Sequence, residues 1–136
     1  MRPIEFRGKS KAYNEWMYGD LIQSKNPFVE IRIFEEDGFN LEVDPDTVGQ
    51  WTTKLDKNKK YIYEGDIVRV EYAEDIDQPP FIDYIVRWDD KKCGFVVEDF
   101  EETCDFEDVL GADQLCNYAS VIGNRFDTPE LLGGGA

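Results

Sequence analysis

The stretch Lys57-Asn58-Lys59-Lys60-Tyr61-Ile62-Tyr63-Glu64-Gly65-Asp66-Ile67-Val68 constrains the fold more than any other part of the chain. It reads as a turn, a short aromatic strand, a second turn pivoting on Gly65, and a strand from Ile67 to Tyr72. Gly65 supplies the positive backbone angle that a tight reversal needs, and Asp66 can accept hydrogen bonds from nearby amides. Beyond the turn, Val68, Val70 and Tyr72 fall on one face of an extended chain, and Ile67, Arg69 and Glu71 on the other. Many small barrels open a strand in this way.

The same grammar runs through the rest of the chain. Ile4 to Arg7 is expected as a first strand, Gly8 to Lys11 as a basic turn, and Glu15 to Tyr18 as the return strand, punctuated by Gly19-Asp20. Phe28 to Phe34 is the clearest strand. Glu35-Glu36-Asp37-Gly38 then makes a hairpin turn into Phe39–Val43. Asp44-Pro45 carries an N-cap followed by proline at the first helical position, and Gly49 limits the helical piece to about a turn. Val48 to Thr52 returns to extended chain. An acidic loop over Ala73–Pro80, stiffened by Pro79-Pro80, precedes a strand from Phe81 to Trp88, a loop over Asp89–Gly94 and a strand from Phe95 to Glu98. Val96 should point inward if Trp88 is shielded. Residues 98–108 hold seven acids and no base, and read as a solvated, self-repelling loop or short amphipathic segment. A helical piece over Phe106–Leu115 breaks near Gly111. A last strand over Tyr118–Ile122 stops at Gly123-Asn124, and Thr128-Pro129 opens a brief terminal helix.

Composition narrows the chemistry. Aromatics make up 14% of 136 residues, which with Val and Ile favours strands over long helices. Acids outnumber bases 30 to 15. Residues 1–60 carry 10 bases and 11 acids, whereas residues 61–136 carry 5 and 19. So acidic a second half repels phosphate backbones and attracts basic partners. Basic residues group at Arg2, Arg7, Lys9 and Lys11, and again at Lys54, Lys57, Lys59 and Lys60; solvated surface is the ordinary reading of both groups. With no histidine, Ser-His-Asp and Cys-His catalysis and His-containing zinc sites are excluded. Cys93, Cys104 and Cys116 form no C-x-x-C pair, and reduced thiols are expected. The acids around Cys104 argue against a reactive thiolate there. No calcium-loop pattern organises the acids of 98–108. The opening residues hold no apolar run suited to a signal peptide, and no later stretch suits a membrane span.

Four segments, in order, resemble the YopX family of bacteriophage and prophage proteins. They are Ile4-Glu5-Phe6-Arg7 with Trp16-Met17-Tyr18-Gly19; Gln50-Trp51-Thr52 through Asp56-Lys57-Asn58 with Ile62-Tyr63-Glu64-Gly65-Asp66-Ile67-Val68; Val86-Arg87-Trp88-Asp89 with Gly94-Phe95; and Val121-Ile122-Gly123-Asn124 with Pro129-Glu130-Leu131-Leu132. Two departures stand out. The family commonly carries glycine where this chain has Thr53 and Lys59, so Asn58 is expected to take the left-handed position instead. The resemblance implies an all-β fold with short helical turns, in which an N-terminal β-hairpin region packs on an SH3-like, partly open barrel. One YopX-like domain over residues 1–132 is expected, with subregions about 1–50 and about 51–126, a terminal helix about 129–132 and a flexible tail 133–136. The family supplies no catalytic residues to carry over, and Gly65, Asp66, Gly123 and Asn124 read as turn formers.

These readings converge on a non-enzymatic, acidic interaction module in the cytoplasm of a bacterial host. It would contact a host or phage protein, or a second copy of itself, without a cofactor, metal or membrane. Trp51, Tyr61 and Tyr63 with Glu98, Asp99, Glu101 and Glu102 are the expected contact surface, although core is the commoner home of any tryptophan, Trp16 and Trp88 included. Two alternatives compete. One is nucleic-acid binding through the N-terminal basic groups, or mimicry of nucleic-acid charge by the acids. The other is metal-dependent hydrolysis by paired carboxylates such as Asp44 with Asp46 or Asp89 with Asp90, pairs that so acidic a chain produces by chance.

Overall fold

The computed structural model describes residues 3–25, 30–71, 80–99 and 102–132. Arg2, Phe28, Val29, Tyr72, the loop residues 73–79, Glu101 and the tail 133–136 lie outside the described residues. The protein is all-β, and the chain divides into two compact units, Met1–Trp51 and Thr52–Ala136.

The first unit is an antiparallel meander. Strand β1 (Phe6–Lys9) pairs with β2 (Trp16–Ser24), β2 with β3 (Glu30–Phe34), and β3 with β4 (Asn40–Glu42). β1 starts two residues later than the alternation of Ile4 and Phe6 indicates. Gly8 and Lys9 extend it rather than turning, because a Cβ at Gly8 would sit 3.0 Å from Val43 Cγ2: the glycine makes room for a core side chain. β2 likewise runs straight through Gly19-Asp20, where punctuation was expected. A Cβ at Gly19 would lie 2.0 Å from the Phe34 carbonyl oxygen, so this glycine permits close approach of two strands.

The Glu35–Gly38 turn forms as its residues dictate, with Gly38 at φ +91° and Glu35 N–H donating to Phe39 O at 2.8 Å. Asp44 caps a 3-10 turn over Pro45–Thr47, its carboxylate accepting from Asp46 N–H at 3.0 Å. The Thr47 hydroxyl accepts from Lys9 N–H at 2.8 Å and ties the turn to β1. Strand β5 (Gly49–Asp56) begins in this unit, where Gly49 and Gln50 pair with Arg7 and Phe6. Met17, Ile33 and Val43 form the core, with Phe6, Leu21, Ile31, Leu41 and Val48 packed around them. Burying such side chains supplies about 1.5–3 kcal/mol each.

In the second unit the end of β5 turns back as β6 (Tyr61–Tyr63), Asp56 N–H donating to Lys60 O at 2.8 Å. After Gly65, at φ +93°, comes a second meander: β7 (Asp66–Glu71), β8 (Phe81–Asp89), β9 (Gly94–Glu98) and β10 (Thr103–Asp105). The acidic stretch is therefore not a loop throughout: Thr103–Asp105 pairs as strand and Phe106 opens a short amphipathic helix. Thr103, Cys104 and Asp105 pair with Glu98, Val97 and Val96, and Lys92 neutralises Asp105 at 2.8 Å. A five-residue helix α1 (Phe106–Leu110) buries Phe106 and Leu110, four residues apart on one face, and ends at Gly111 with φ +90°. It stops well short of Leu115, which instead begins β11 (Leu115–Cys116), parallel to the end of β5.

Strand β12 (Ala119–Asn124) joins β7, giving the order β10-β9-β8-β7-β12. Among the described residues β10 and β12 do not pair with each other, so the sheet is not a closed barrel. Its core gathers Ile62, Val68, Val70, Tyr84, Val86, Val97, Phe106 and Leu110. Val96 is buried although Trp88 is 42% exposed, because the two residues lie on opposite faces: Arg87 pairs with Val96 and Trp88 with Phe95. A 3-10 turn over Pro129–Leu131 closes the described chain. Thr128 does not cap it through its side chain. Its hydroxyl donates to Asn124 O and accepts from Asn124 N–H, both at 3.0 Å.

Candidate functional site: an acidic cleft on the first unit

The left-handed positions decide how the central motif is built. Thr53 has φ +72° and Lys59 φ +66°, whereas Asn58 is not among the positive-φ residues. Both positions thus take a backbone that glycine adopts freely, with non-glycine residues in it. Asp56, which sequence reasoning passed over, holds this turn. Its side chain is almost wholly buried, and Oδ1 accepts from Asn58 N–H at 2.8 Å and Lys60 N–H at 2.9 Å. Oδ2 accepts from Val121 N–H at 2.9 Å, so one carboxylate fixes a hairpin turn and anchors β12. Asp66 is buried too, accepting from Tyr63 N–H at 2.7 Å. The Asn124 side chain accepts from Phe126 and Asp127 N–H in an Asx turn. Gly123 lies inside β12 beside a register shift, where a Cβ would stand 2.1 Å from Thr128 Oγ1. Its need is close approach and not reversal.

Two residues of the expected contact surface are buried. Trp51 is 5% exposed and Tyr63 3%, so both are core side chains. Tyr61 is exposed, its ring tilted against Tyr63 at 6.3 Å between centroids. Glu98 pairs with Arg87, and the Asp99 carboxylate accepts from Glu102 N–H at 2.9 Å to close the β9–β10 turn. Glu102 is exposed, and Glu101 lies outside the described residues.

Several of the basic residues have partners within the protein, while Lys59 and Lys60 stand exposed. The Arg7 guanidinium stacks 4.6 Å from the Trp16 ring centroid and the Lys9 ammonium 5.4 Å from it. Lys11 pairs with Glu42 and Lys57 with Glu71, while Lys54 donates to the carbonyls of Ala112 and Asp113. Carboxylates named as catalytic pairs serve turns. Asp44 caps, Asp89 accepts from Lys91 and Lys92 N–H, and Asp90 accepts from the Trp88 indole. Among the described residues no group of three or more Cys, Asp or Glu is placed to hold a metal ion. Burial pushes the Cys116 thiol up, and burial with the charge of Glu102 pushes up that of Cys104. Both are thus held as neutral thiols, while Cys93 stands exposed.

What the fold does assemble is a cleft of about 550 Å³ on the first unit. Ile4 and Glu5 enter it from just before β1, Gly19 and Asp20 from β2, and Phe34 from the end of β3. The β3–β4 turn adds Glu35, Glu36 and Asp37 in succession. Five carboxylates thus rim a space whose walls are Ile4, Tyr18 and Phe34, and no basic residue lines it. Ile4 and Tyr18 are exposed. Glu5 is held by its backbone, its carbonyl accepting from Trp51 N–H at 2.8 Å, and the Asp37 carboxylate accepts from Phe39 N–H at 3.0 Å. Acids so placed beside apolar side chains concentrate negative potential, which suits a cation carried on an aliphatic stem. Consecutive acids in the β3–β4 turn were the visible sign of it, but the near-balanced charge of the first sixty residues concealed how the fold gathers them. A second depression of about 170 Å³ lies between α1 and the start of β12, with Glu107 and Asp108 on its rim and Tyr118 exposed beside it.

Fold and cleft define a class: a small all-β protein of two compact units, bearing an acidic, partly aromatic recess. Among the described residues no helix is long and apolar enough to cross a membrane. The sequence profile described as "YopX protein" matches residues 5–133, and the chain belongs to the YopX family. No curated protein matches it. Among solved structures it is similar to protein EF1440 from Enterococcus faecalis, at 20% identity and a TM-score of 0.57, covering 97% of this chain and 99% of that one. At that identity the likeness speaks to the fold alone.

Proposed function

We propose that this chain is a non-enzymatic protein-interaction module of phage or prophage origin, which acts in the bacterial cytoplasm by presenting acidic surface to a basic region of a host or phage protein. The cleft of the first unit carries this reading. Five acidic residues beside Ile4, Tyr18 and Phe34, with no basic residue among them, match a lysine- or arginine-bearing segment in charge. The total of 30 acids against 15 bases supports it, since long-range attraction speeds encounter with a cationic partner. The pairing of Lys11, Lys54 and Lys57 within the protein favours a protein partner over nucleic acid.

An affinity capture from bacterial host extract tests it, run with and without nuclease and washed at two salt concentrations. The expected result is a stoichiometric protein that survives nuclease, weakens at higher salt, and is lost with the Glu35→Gln/Glu36→Gln variant. Retained DNA or RNA that disappears on nuclease treatment would overturn the reading in favour of nucleic-acid binding through the basic groups.

A further inference from the structure

β1 is shorter than the strand it pairs with. Its first residue, Phe6, stands opposite Gly19, and β2 continues for five more residues, Asp20 to Ser24. On one side these residues pair fully with β3, from Asp20 with Phe34 to Ser24 with Glu30. On the other side, among the described residues, no strand pairs with them. An antiparallel strand turns its N–H and C=O groups alternately to its two sides, so every second residue of this run presents both to the open side. Natural sheets guard such edges with proline, lysine, a bulge or a covering element. Asp20-Leu21-Ile22-Gln23-Ser24 has no proline, no lysine and no register shift in its pairing with β3. Ile22 in its middle is 49% exposed.

The acidic cleft opens at the inner end of this edge. Ile4 and Glu5 line it just before β1, and Asp20 belongs to both edge and recess. A chain laid along β2 where β1 stops would run its backbone past groups that no described strand pairs, and direct side chains at its inner end toward the five acidic residues of the cleft.

We propose that the open edge of β2, Asp20 to Ser24, takes up an extended basic segment of a partner protein by strand addition, with a lysine or arginine of that segment seated in the cleft among Glu5, Asp20, Glu35, Glu36 and Asp37. The proposal rests on the reading of this chain as an acidic interaction module, and it names where and how the partner docks. Main-chain hydrogen bonds to β2 supply affinity, and the charged cleft selects cationic side chains. Charge also argues against a second copy as the occupant. The chain carries 30 acids against 15 bases, so a second copy would bring like charge against like charge.

The test uses a fluorescein-labelled octapeptide of alternating arginine and valine, read by anisotropy against the full-length protein, with amide hydrogen exchange of the complex. Two further peptides carry N-methyl groups on the odd or the even backbone nitrogens, which removes donors without changing charge. Binding is expected, with slowed exchange at alternate amides of Asp20–Ser24 and about tenfold weaker binding for one N-methylated peptide only. Glu35→Gln/Glu36→Gln should weaken binding about tenfold at about 50 mM salt and less at about 300 mM. An alternating glutamate-valine peptide should not bind. Binding that is sensitive to salt but indifferent to N-methylation, with no protection on β2, would overturn strand addition while leaving the acidic-module reading intact. Absence of binding would overturn the proposal. So would a peptide-free dimer that protects the same amides, since that would place a second copy on the edge.

Discussion

Thr53 and Lys59 occupy left-handed backbone that glycine adopts without cost. For a β-branched residue this conformation is a genuine outlier, with a steric cost of about 1–2 kcal/mol. Replacing Thr53 by glycine removes that strain and gives back about 0.5–1 kcal/mol in unfolded-chain entropy. The expected net gain is about 1 kcal/mol for Thr53→Gly and about 0.5 kcal/mol for Lys59→Gly. Asn58→Gly, at a position outside the left-handed region, should give no gain. Urea unfolding of the three variants checks the ranking, and a destabilised Thr53→Gly would show that its side chain contributes more than its backbone costs. Family resemblance marked both sites. What could not be read from sequence is that Lys59, and not Asn58, takes the left-handed position in the turn that the Asp56 carboxylate holds.

At the scale of elements, Asp56 ties the β5–β6 turn to β12, a span of 65 residues along the chain. Asp56→Ala would leave three backbone donors without their acceptor. At about 1 kcal/mol each, with Asn58 and Lys60 open to water, the cost should be about 3 kcal/mol. Asp56→Asn keeps one good acceptor oxygen and should cost about half as much, with chemical denaturation as the measure. An alanine variant as stable as the parent would mean that water replaces the carboxylate. Alternation and turn chemistry made both meanders legible, because hairpins are specified by residues near in sequence: Phe34, Gly38 and Phe39 announce theirs without help from elsewhere. The errors arose where a residue's partner is distant. Gly19 looked like punctuation, yet it answers to the Phe34 carbonyl. Residues 98–108 read as a repelling loop or short amphipathic segment, yet Cys104 finds Val97 and Lys92 finds Asp105. Trp51 and Tyr63 looked available for contact, and tertiary packing buries them. The cleft was invisible because three separate segments build it.

At the scale of the whole molecule, a formal charge of −15 on 136 residues stores self-repulsion that compaction increases. Salt screens it over a Debye length of about 8 Å at physiological strength. Raising sodium chloride from about 20 mM to about 300 mM should therefore lift the melting temperature by a few degrees. Scanning calorimetry at fixed pH measures this, and a fall in melting temperature would mean that pairs such as Arg69–Asp83, at 2.9 Å, outweigh the general repulsion. The sheet order of the second unit also dictates a timetable. β7 through β10 join neighbours as they are made, but the remaining side of β7 receives β12, whose residues 119–124 come some fifty positions later. On a ribosome, where segments emerge from the N-terminus onward, the first meander can close while the second still waits with β7 half-paired. Val68 and Val70, buried in the finished protein, are then shielded last, and that interval is when the nascent chain most needs a chaperone.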